Sequence, residues 1–565
     1  MSTSMTGADS FVAALRAAGV SCVFGYPGAT ALPLFDALYG ADDIRLVLSR
    51  HEQGATFMAG GWARATGRTG VVLVTSGPGA TNTVTAIADA YMDSIPLVVF
   101  TAQVPSALIG TDAFQESDIT GITLPITKHS YLVKSADEIA PTVAKALYLA
   151  ATGRRGPVVV DIPVDVAEGI VGVNGGSDGA GKSDGDGDSA ARLFTGYDPR
   201  PQPDPALIAQ AAAALTAAKH PVILAGGGVI AAEACHLLTD LARTQGIPVV
   251  TTLMGRGAFP EDDLMWLGMP GLFGHAGANE ALSLCDVLLA VGTRFAERIA
   301  EDPAAVAPDA TVIHIDVDAA ELGKQRRADV AINADAADAL TALLRELPDG
   351  CGEASPDSGA SFSLRTRAAL ADTDVLIPAY VVGMLDALTQ KRTQQGKATI
   401  RVTEVGQNQL WAARHSRVTR PRSFLTSGGL GAMGFGLPTA IGAQLACPDA
   451  LVLNISGDGS FLMNVQELAT AVAVRAAVKV FILNNAGLGL VRQWQDMKYA
   501  GRHVASELPV DQPDFAALAT AFGAVGLTVA TPADFEVALR RALESDGPVV
   551  VDCRIDPTDI VEMQG

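Results

Sequence analysis

Short strand-like runs alternate with longer helix-like stretches along nearly all of this 565-residue chain. Runs rich in valine, leucine and isoleucine, such as Gly70–Val74, Val222–Ala225 and Val478–Leu483, are each followed by a stretch with helical periodicity. This alternation favours parallel sheets that are covered by helices on both faces. A chain of this length exceeds what one hydrophobic core supports, so several such units are expected.

Two interruptions divide the chain into three blocks. The alternation stops between Gly169 and Pro205, where Gly, Ser, Asp and Pro dominate, and stops again over about 348–363. Such stretches bury too little apolar area to fold alone, so both are predicted to be linkers. The predicted organisation is three doubly wound α/β domains at residues 1–170, 205–345 and 370–565, with linkers at 171–204 and 346–369.

Composition argues against several classes of protein. The formal net charge of −21 disfavours a nucleic-acid groove, and no apolar run reaches the roughly 18 residues expected of a membrane span. The first residues lack the basic start and long apolar segment of a signal peptide, so a cytoplasmic location is predicted. The six cysteines form no C-x-x-C pair, which fits a reducing compartment and indicates no zinc site.

Polar residues follow two strand-like runs in the last block. Gly457-Asp458-Gly459 comes after the run Leu451–Ile455, and Asn484-Asn485 comes after Val478–Leu483. A lone Gly-Asp-Gly is usually a turn. However, a carboxylate and an amide oxygen at the ends of neighbouring strands suit a hard divalent cation that also holds phosphate oxygens. The spacing, with room for a loop, a helix and a strand, favours this metal–diphosphate interpretation.

Glu52 is the candidate acid of the first block. It follows the run Ile44–Leu48 and opens a helix that is predicted to continue through Arg64. By itself, an acid in the first turn of a helix is explained by its favourable interaction with the helix dipole. Position alone therefore favours a structural role, and a catalytic role needs support from the rest of the chain.

Further motifs are spread over nearly the whole sequence. They are 24–28 (FGYPG), 51–55 (HEQGA), 74–82 (VTSGPGATN), 92–97 (MDSIPL), 110–116 (GTDAFQE), 426–438 (TSGGLGAMGFGLP) and 490–495 (LVRQWQ). Together with the Gly-Asp-Gly and Asn-Asn motifs, they resemble the catalytic large subunit of the acetolactate synthase (acetohydroxyacid synthase) family of thiamine-diphosphate enzymes. Several are shared by thiamine enzymes generally, whereas TDAFQE and VRQWQ are more specific.

The resemblance implies an enzyme, a carboligase of the transferase class. It would decarboxylate pyruvate and add the resulting hydroxyethyl carbanion to a second 2-keto acid, either pyruvate or 2-ketobutyrate, in branched-chain amino-acid biosynthesis. The implied cofactors are thiamine diphosphate, Mg²⁺ and a structural FAD. The implied assembly is a homodimer or homotetramer, with active sites between the first domain of one chain and the third domain of another, and with a regulatory small subunit as a further partner.

The same resemblance assigns roles at the reaction centre to Glu52, Gln115, Lys128, Arg298, Met433 and Trp494. Glu52 would favour the imino form of the cofactor by interacting with its pyrimidine N1′. Arg298 would hold a keto-acid carboxylate through two parallel hydrogen bonds, and Trp494 would favour a larger second keto acid. As alternatives, Met433 simply fills core space instead of bending the cofactor, and Arg298 forms a surface or interdomain ion pair.

The implied cofactor contacts fall in two of the blocks and at a few positions of the first. Those to thiamine diphosphate are Tyr26, Pro27, Gly28, Glu52, Gly406, Gln407, Asn408, Gly431, Met433, Gly457, Asp458, Gly459, Ser460, Asn485, Gly487 and Leu488. Those to Mg²⁺ are Asp458, Asn485 and the backbone carbonyl near Gly487. Those to FAD are Arg155, Gly227, Thr252, Leu253, Met254, His275, Gly292, Arg294, Asp316 and Asp335. A glycine-rich turn alone is a weak indication of a nucleotide, so FAD depends on the family match.

The sequence departs from the family pattern at four places. Ala29-Thr30 replaces the usual Gly-Ala after Tyr-Pro-Gly, Asn408 replaces a histidine, and the stretch 295–298 reads FAER where FDDR is usual. The sequence also ends at Gly565, without a further tail rich in Pro and Gly. Asn408 still offers an amide donor to a phosphate, whereas Ala29 and Thr30 add volume near the expected reaction centre and are expected to affect the choice of acceptor.

Two other functions stay open at this point. One is a simple 2-keto-acid decarboxylase or a carboligase with another acceptor; decarboxylases of this fold commonly use a tandem histidine pair, and no His-His occurs here. The other is a non-catalytic homologue that binds cofactor or a partner. The presence of Glu52, Asp458 and Asn485 disfavours that second alternative.

Overall fold

The computed structural model describes residues 4–172, 194–348, 374–509 and 512–563. Within these ranges the chain forms three six-stranded sheets, and all pairs of named strands are parallel. The predicted three doubly wound α/β units are thus confirmed. Most of both predicted linkers, 173–193 and 349–369, lies outside the described residues.

The first domain contains the sheet of order β2-β1-β3-β4-β6-β5. Its strands are β1 Cys22–Tyr26, β2 Arg45–Leu48, β3 Gly70–Val74, β4 Leu97–Gln103, β5 His129–Leu132 and β6 Pro157–Pro163. Its helices are α1 Gly7–Ala17, α2 Leu32–Tyr39, α3 Glu52–Thr66, α4 Pro78–Thr81, α5 Val84–Met92, α6 Ile119–Thr123, α7 Ala136–Ala151 and α8 Val164–Glu168.

The middle domain contains the sheet of order β12-β11-β10-β7-β8-β9. Its strands are β7 Pro221–Ala225, β8 Val249–Thr251, β9 Trp266–Gly268, β10 Val287–Val291, β11 Thr311–Asp316 and β12 Val330–Asn333. Its helices are α9 Pro205–Ala217, α10 Gly227–Ala231, α11 Cys235–Gln245, α12 Ala276–Leu284 and α13 Ala336–Glu346.

The third domain contains the sheet of order β14-β13-β15-β16-β18-β17. Its strands are β13 Thr399–Thr403, β14 Phe424–Leu425, β15 Leu451–Gly457, β16 Lys479–Asn484, β17 Val525–Val529 and β18 Val549–Arg554. Its helices are α14 Pro378–Gln394, α15 Gln407–His415, α16 Gly436–Ala446, α17 Asp458–Leu462, α18 Glu467–Ala473, α19 Gly489–Tyr499, α20 Phe515–Ala521 and α21 Pro532–Glu544.

The strand orders divide the domains into two kinds. Counted from its own first strand, the sheet of the first domain and that of the third both run 2-1-3-4-6-5, whereas the middle sheet runs 6-5-4-1-2-3. The middle order, taken from its other edge, is that of dinucleotide-binding folds. In all three sheets the order reverses between two central neighbours, β1 and β3, β7 and β10, or β13 and β15. Parallel sheets bind ligands in the crevice at the carboxyl ends of such a pair.

Alternate residues of a central strand enter different cores, as expected for a sheet covered on both faces. In β3, Val72 and Val74 pack into one cluster, while Val71 and Leu73 pack into the cluster on the opposite face. The first of these clusters also contains apolar residues of the third domain, including Phe435. The first and third domains of one chain therefore share a hydrophobic core.

Glycines allow the closest contact between these two domains, where α3 crosses α16. A Cβ atom added at Gly61 would lie 2.2 Å from the carbonyl oxygen of Thr439, and one added at Gly442 would lie 1.9 Å from that of Met58. No larger residue fits at either position, so the two helices touch backbone to backbone. This contact fixes the helix that begins at Glu52 against the third domain.

Among the helices of the described ranges, none is long and apolar enough to cross a membrane.

Candidate active site

The predicted metal ligands lie at the carboxyl ends of β15 and β16, beside the reversal point of the third sheet. Asp458 begins α17 directly after β15, and Asn485 follows the neighbouring strand β16. Asp458 accepts hydrogen bonds from the backbone of Gly459 at 3.0 Å and from Gln512 Nε2 at 2.9 Å. Asn485 Nδ2 donates to Gln407 Oε1 at 3.1 Å. Both predicted ligands are thus buried and already bonded to amide groups of the same domain.

Burial raises the pKa of Asp458 above that of an ordinary aspartate, while hydrogen bonds from Gln512, Gly459 and Gly487 oppose this shift. A nearby divalent cation would favour the ionised carboxylate. The Oε1 atom of Gln512 is buried beside Asp458 with no hydrogen-bond partner among the described residues. A carboxylate, amide oxygens and a backbone carbonyl form the all-oxygen donor set that suits Mg²⁺.

Four residues predicted to contact the diphosphate lie across the crevice, between β13 and β15. Gly406 has a φ of 123°, which residues with a Cβ rarely adopt, and α15 begins at the next residue. A Cβ added at Gly457 would lie 3.0 Å from Asn408 Nδ2 and 3.3 Å from Ser460 Oγ. Gly406, Asn408, Gly457 and Ser460 therefore border one space, which a side chain at Gly457 would fill. Backbone N–H groups at a helix start suit a diphosphate.

Met433 lies at the edge of this crevice. A Cβ atom added at Gly459 would lie 3.9 Å from Met433 Cε and 2.9 Å from Leu488 Cδ2, so these three predicted residues are neighbours. Gly431, two residues before Met433, has a φ of 71°. The structure thus brings the apolar side chain of Met433 close to residues that are predicted to hold the metal and the diphosphate.

Sequence reasoning missed Glu404, which holds the backbone after Met433. Glu404 is fully buried and accepts hydrogen bonds from Gly434 N at 2.9 Å and Gly436 N at 2.8 Å. Burial raises the pKa of Glu404 to about 8, against the effect of these bonds. Its position directly after β13 was the available indication, since residues at that edge face the crevice.

Glu52 lies at the corresponding edge of the first sheet. Its Oε2 atom accepts a hydrogen bond from Asn82 Nδ2 at 3.0 Å, a partner that sequence reasoning did not identify. A Cβ added at Gly79 would lie 3.5 Å from Glu52 Oε1 and 2.6 Å from Thr75 Cγ2. A Cβ added at Gly28 would also touch Thr75, at 2.5 Å. Glu52 and Gly28 therefore flank the same wall of the first domain.

The departure at Ala29-Thr30 adds a hydroxyl to this wall. Thr30 Oγ1 lies 3.0 Å from the hydroxyl oxygens of both Thr75 and Ser76. Tyr26 and Pro27, also predicted to contact the cofactor, are exposed at the end of β1. No hydrogen bond or ion pair joins Glu52 to Asp458 within the described part of the chain.

A cavity of about 1380 Å³ lies at the reversal point of the middle sheet, where all three domains contribute to its walls. Two glycine turns, after β7 and after β10, meet there. A Cβ added at Gly226 would lie 2.0 Å from the carbonyl oxygen of Gly292, and one at Gly228 would lie 2.6 Å from Gly292 Cα. This side of the cavity is therefore formed by glycine backbone without side chains.

Most of the predicted FAD residues line this cavity: Arg155, Gly227, Thr252, Leu253, Met254, Gly292, Arg294, Asp316 and Asp335. Bare backbone beside guanidinium groups suits a pyrophosphate, and the apolar side chains suit a planar ring. Burial raises the pKa of Asp316 to about 6. His275 is not among the lining residues; its Nδ1 accepts a hydrogen bond from Met269 N at 2.9 Å, and burial lowers its pKa to about 3. The size and lining of the cavity fit a dinucleotide.

Arg298 and Trp494 line the same cavity where it approaches the third domain. Arg298 donates to Gln409 Oε1 at 3.1 Å and to the carbonyl of Gly428 at 3.3 Å, and burial lowers its pKa. Trp494 packs edge to face on Phe273, with ring centres 6.1 Å apart. These two predicted substrate residues thus line one cavity, and among the described residues Arg298 forms hydrogen bonds to neutral groups and no ion pair.

Gln115 and Lys128 occupy different surroundings. A Cβ at Gly77 would lie 2.7 Å from the carbonyl of Gln115, so its loop packs close to the wall around Glu52. Lys128 Nζ instead donates to the carbonyls of Leu149 at 2.5 Å and Thr152 at 2.7 Å, at the carboxyl end of α7. Burial lowers the pKa of Lys128 to about 8. This side chain caps a helix behind the cavity wall, apart from the residues around Asp458.

Comparison with known proteins gives consistent matches to all three domains. Models of thiamine pyrophosphate enzymes match residues 5–122 (N-terminal TPP binding domain), 208–343 (central domain) and 404–553 (C-terminal TPP binding domain). The chain is 44% identical over 560 residues to the acetolactate synthase of Mycobacterium bovis, covering 97% of this chain and 88% of that protein.

Two further relatives come from distant organisms. The chain is 43% identical over 564 residues to a probable acetolactate synthase large subunit of Methanocaldococcus jannaschii, covering 99% of this chain and 93% of that protein. It is 42% identical over 557 residues to the acetolactate synthase isozyme 2 large subunit of Escherichia coli, covering 99% and 97% of the two chains.

Proposed function

The chain belongs to the acetolactate synthase large-subunit family of thiamine pyrophosphate enzymes, and from this we propose that it decarboxylates pyruvate and joins the resulting two-carbon unit to a second 2-keto acid. Its first and third domains are thiamine-pyrophosphate-binding domains. Bound thiamine diphosphate supplies the carbanion chemistry of such a reaction. The protein positions the reactants and excludes water.

One observation carries the proposal: the crevice between β13 and β15 combines a phosphate cradle with a set of oxygen ligands. We assign Mg²⁺ to the side-chain oxygens of Asp458 and Asn485 and to the backbone carbonyl of Gly487. The contact between Asp458 and Gln512, at 2.9 Å, would be exchanged for the metal. The cradle of Gly406, Asn408, Gly457 and Ser460 would hold the diphosphate.

Glu52 is assigned to the pyrimidine end of the cofactor. It would hold a proton at the pyrimidine nitrogen, and its hydrogen bond from Asn82 at 3.0 Å fixes the orientation of the carboxyl group. Met433 would support the bent cofactor from the third domain. Arg298 would bind the carboxylate of a keto acid, exchanging its present bonds to neutral oxygens for two charge-assisted ones.

We also propose a homodimer, in which the first domain of one chain would complete the third domain of another. The proposal is consistent with the lack of a hydrogen bond or ion pair between Glu52 and Asp458 within the described part of one chain. Exposed apolar residues of the first domain support this: Leu32 is 56% exposed, and Leu46 and Leu48 on the edge strand β2 are 41% and 47% exposed. The middle cavity is assigned to FAD, and the designation of the relatives as large subunits supports a regulatory small subunit as partner.

Product identification tests the proposal. Purified protein with Mg²⁺, thiamine diphosphate and FAD is incubated with pyruvate, with and without 2-ketobutyrate. We expect 2-acetolactate from pyruvate alone and additional 2-aceto-2-hydroxybutyrate when 2-ketobutyrate is present. Acetaldehyde without acetolactate would identify a decarboxylase, and no product even with a small subunit would identify a non-catalytic homologue; either result overturns the proposal.

Glu52→Gln is the matched control for that experiment, since it removes the acid while keeping the shape of the side chain. The variant should bind thiamine diphosphate but exchange the C2 proton of the cofactor far more slowly. Activity close to that of the unaltered protein would exclude Glu52 from its assigned role.

A further inference from the structure

A buried group of three charges joins the first domain to the third. Arg64, in the last turn of α3, lies 2.6 Å from Asp89 and 3.0 Å from Asp93, and none of the three side chains is more than 4% exposed. In these ion pairs one guanidinium faces two carboxylates, which leaves an excess negative charge that the electrostatic interaction between Asp93 and Arg298 offsets only in part. Uncompensated buried charge is strongly destabilising, and further donors are required.

These donors come from residues 427–435 of the third domain, a segment between β14 and α16 that we call the strap. Asp93 accepts hydrogen bonds from Gly428 N at 3.0 Å and Gly429 N at 2.7 Å. Asp89 accepts one from the hydroxyl of Ser427, whose oxygen in turn accepts from Ala432 N at 2.9 Å. Carboxylates of the first domain therefore fix the beginning of the strap.

The end of the strap contacts the same group and the same helix. The Arg64 guanidinium lies 5.0 Å from the ring centre of Phe435, a cation–π distance. Phe435 also packs edge to face on Phe57 of α3, with ring centres 5.5 Å apart. Met433 lies between the two fixed ends, two residues before Phe435.

The middle domain also contacts the strap, at Gly428. Arg298 donates to the carbonyl of Gly428 at 3.3 Å, and a Cβ added at Gly428 would lie 2.3 Å from the sulfur of Met254. All three domains therefore meet at this residue. The strap has no freedom to shift there without disturbing a neighbour from every domain.

We propose that Arg64, Asp89 and Asp93 are positioning residues that hold the strap so that Met433 stays directed at the cofactor crevice. The inference rests on the proposed function, because it takes Met433 as the residue that supports bound thiamine diphosphate. The three charged residues act through the strap: Asp93 bonds to two of its N–H groups, and no hydrogen bond or ion pair links them to Asp458 or Glu52 in the described ranges.

Asp93→Asn is the first test, since asparagine keeps the volume of the side chain but loses its charge and one of two acceptor oxygens. The readout is the rate of hydrogen–deuterium exchange at C2 of thiamine diphosphate, measured with Mg²⁺ at saturating cofactor. Displacing Met433 by about 1 Å is expected to slow this exchange by about 10²-fold. An exchange rate within about twofold of the unaltered protein, in a folded variant, overturns the proposal.

Asp43→Asn is the matched control. Asp43 also pairs with an arginine of the first domain, Arg16, at 2.9 Å, but this pair is exposed and has no hydrogen bond or ion pair to the strap among the described residues. The Asp43→Asn substitution should leave the rate of hydrogen–deuterium exchange at C2 unchanged. If Asp93→Asn does not fold, Ser427→Ala removes only the link between Asp89 and Ala432 and should slow the exchange by about tenfold; no slowing in that variant overturns the proposal equally.

Combination with Met433→Ala separates positioning from a general structural role. If Asp93 acts through Met433, Asp93→Asn should add nothing to the slowing caused by Met433→Ala. Additive effects would show that Asp93 acts by another route and would overturn the proposal. Failure of the unaltered protein to bind cofactor or exchange its C2 proton would refute the proposed function itself, whereas normal exchange in both proteins would refute only the strap inference.

Discussion

The middle and third domains use the same edge of a parallel sheet in opposite ways. In the middle domain the reversal point consists of bare backbone, with Gly226 and Gly292 so close that neither tolerates a side chain. In the third domain it consists of polar side chains that bond to one another, Asp458 to Gln512 and Asn485 to Gln407. The first site is an open shape that a ligand would fill. The second is a set of side chains already bonded to one another, which would exchange partners when a ligand binds.

This difference separates what each site requires of the sequence. The middle site depends on the absence of side chains, because a Cβ at Gly226, Gly228 or Gly292 would clash with the backbone of the facing turn. The third site depends on the chemistry of individual oxygen atoms, since metal affinity follows ligand charge and number. Substitutions should therefore affect the two sites independently, and for different physical reasons.

Asp458→Asn should produce the largest effect. The substitution keeps the size of the side chain but removes the only carboxylate assigned to Mg²⁺, and we expect the Mg²⁺-dependent affinity for thiamine diphosphate to fall by at least about 10²-fold. Calorimetric titration with the cofactor measures this, and flavin absorbance of the same sample serves as the control. Loss of flavin together with thiamine diphosphate would contradict the independence of the two sites.

Gly292→Ala should weaken FAD binding and leave thiamine diphosphate binding nearly unchanged, the reverse of Asp458→Asn. The loss of affinity should be smaller. The new Cβ would lie 2.5 Å from Gly228 Cα at a φ of 58°, which is expected to destabilise the turn by about 1–3 kcal/mol. FAD affinity, measured by fluorescence titration, should fall by about tenfold or more, while thiamine diphosphate affinity stays within about twofold.

Gly323→Ala is its matched control in the same domain. Gly323 also has a positive φ, 71°, but a Cβ there would meet only Ala328 N, at 3.8 Å. This substitution therefore introduces backbone strain without a steric clash. Equal loss of FAD affinity in both variants would mean that strain, and not contact between the glycine turns, governs the site.

The smallest predicted effect concerns pH and the middle cavity. Burial raises the pKa of Asp316 to about 6, above the value of about 3.9 in an unfolded chain. A group with a raised pKa in the folded state contributes stability that is complete below about pH 4 and is lost as the pH rises through about 6. The melting temperature of the Asp316→Asn variant should therefore fall less between about pH 4 and about pH 7 than that of the unaltered protein, in samples without flavin.

Thermal unfolding of both proteins across this pH range tests the prediction, because the difference between their profiles removes the contribution of all other groups. Parallel profiles would show that the environment of Asp316 does not penalise its charge. The two sites would then be more alike than their geometry indicates.

The sequence predicted the architecture and the position of Asp458 after a strand, because both depend on short stretches of neighbouring residues. Alternating runs predicted three parallel-sheet units, which the structure and the family matches confirm. Asp458 directly follows a strand, as its motif indicates, although that strand extends to Gly457 instead of ending at Ile455. The roles assigned to individual residues, and the domain boundaries, stay predictions.

Other features depend on residues that are distant in the sequence, and no spacing rule reveals them. The bond from Asn82 to Glu52, the burial of Glu404 against the strap, and the contact of Asp93 with Gly428 all arise from packing between elements. The identical strand order of the first and third sheets is likewise invisible to periodicity, which indicates strands but not their neighbours. The helix-capping position of Lys128 was missed for the same reason, since its partners lie at the far end of α7.

The backbone contact between α3 and α16 has a mechanical consequence. With Gly61 against Thr439 and Gly442 against Met58, the helices touch backbone to backbone, so we expect the first and third domains of one chain to move together. In the proposed homodimer each chain gives its first domain to one active site and its third domain to the other. Any rotation that opens one active site must therefore displace half of the other, and the two sites share a single hinge motion.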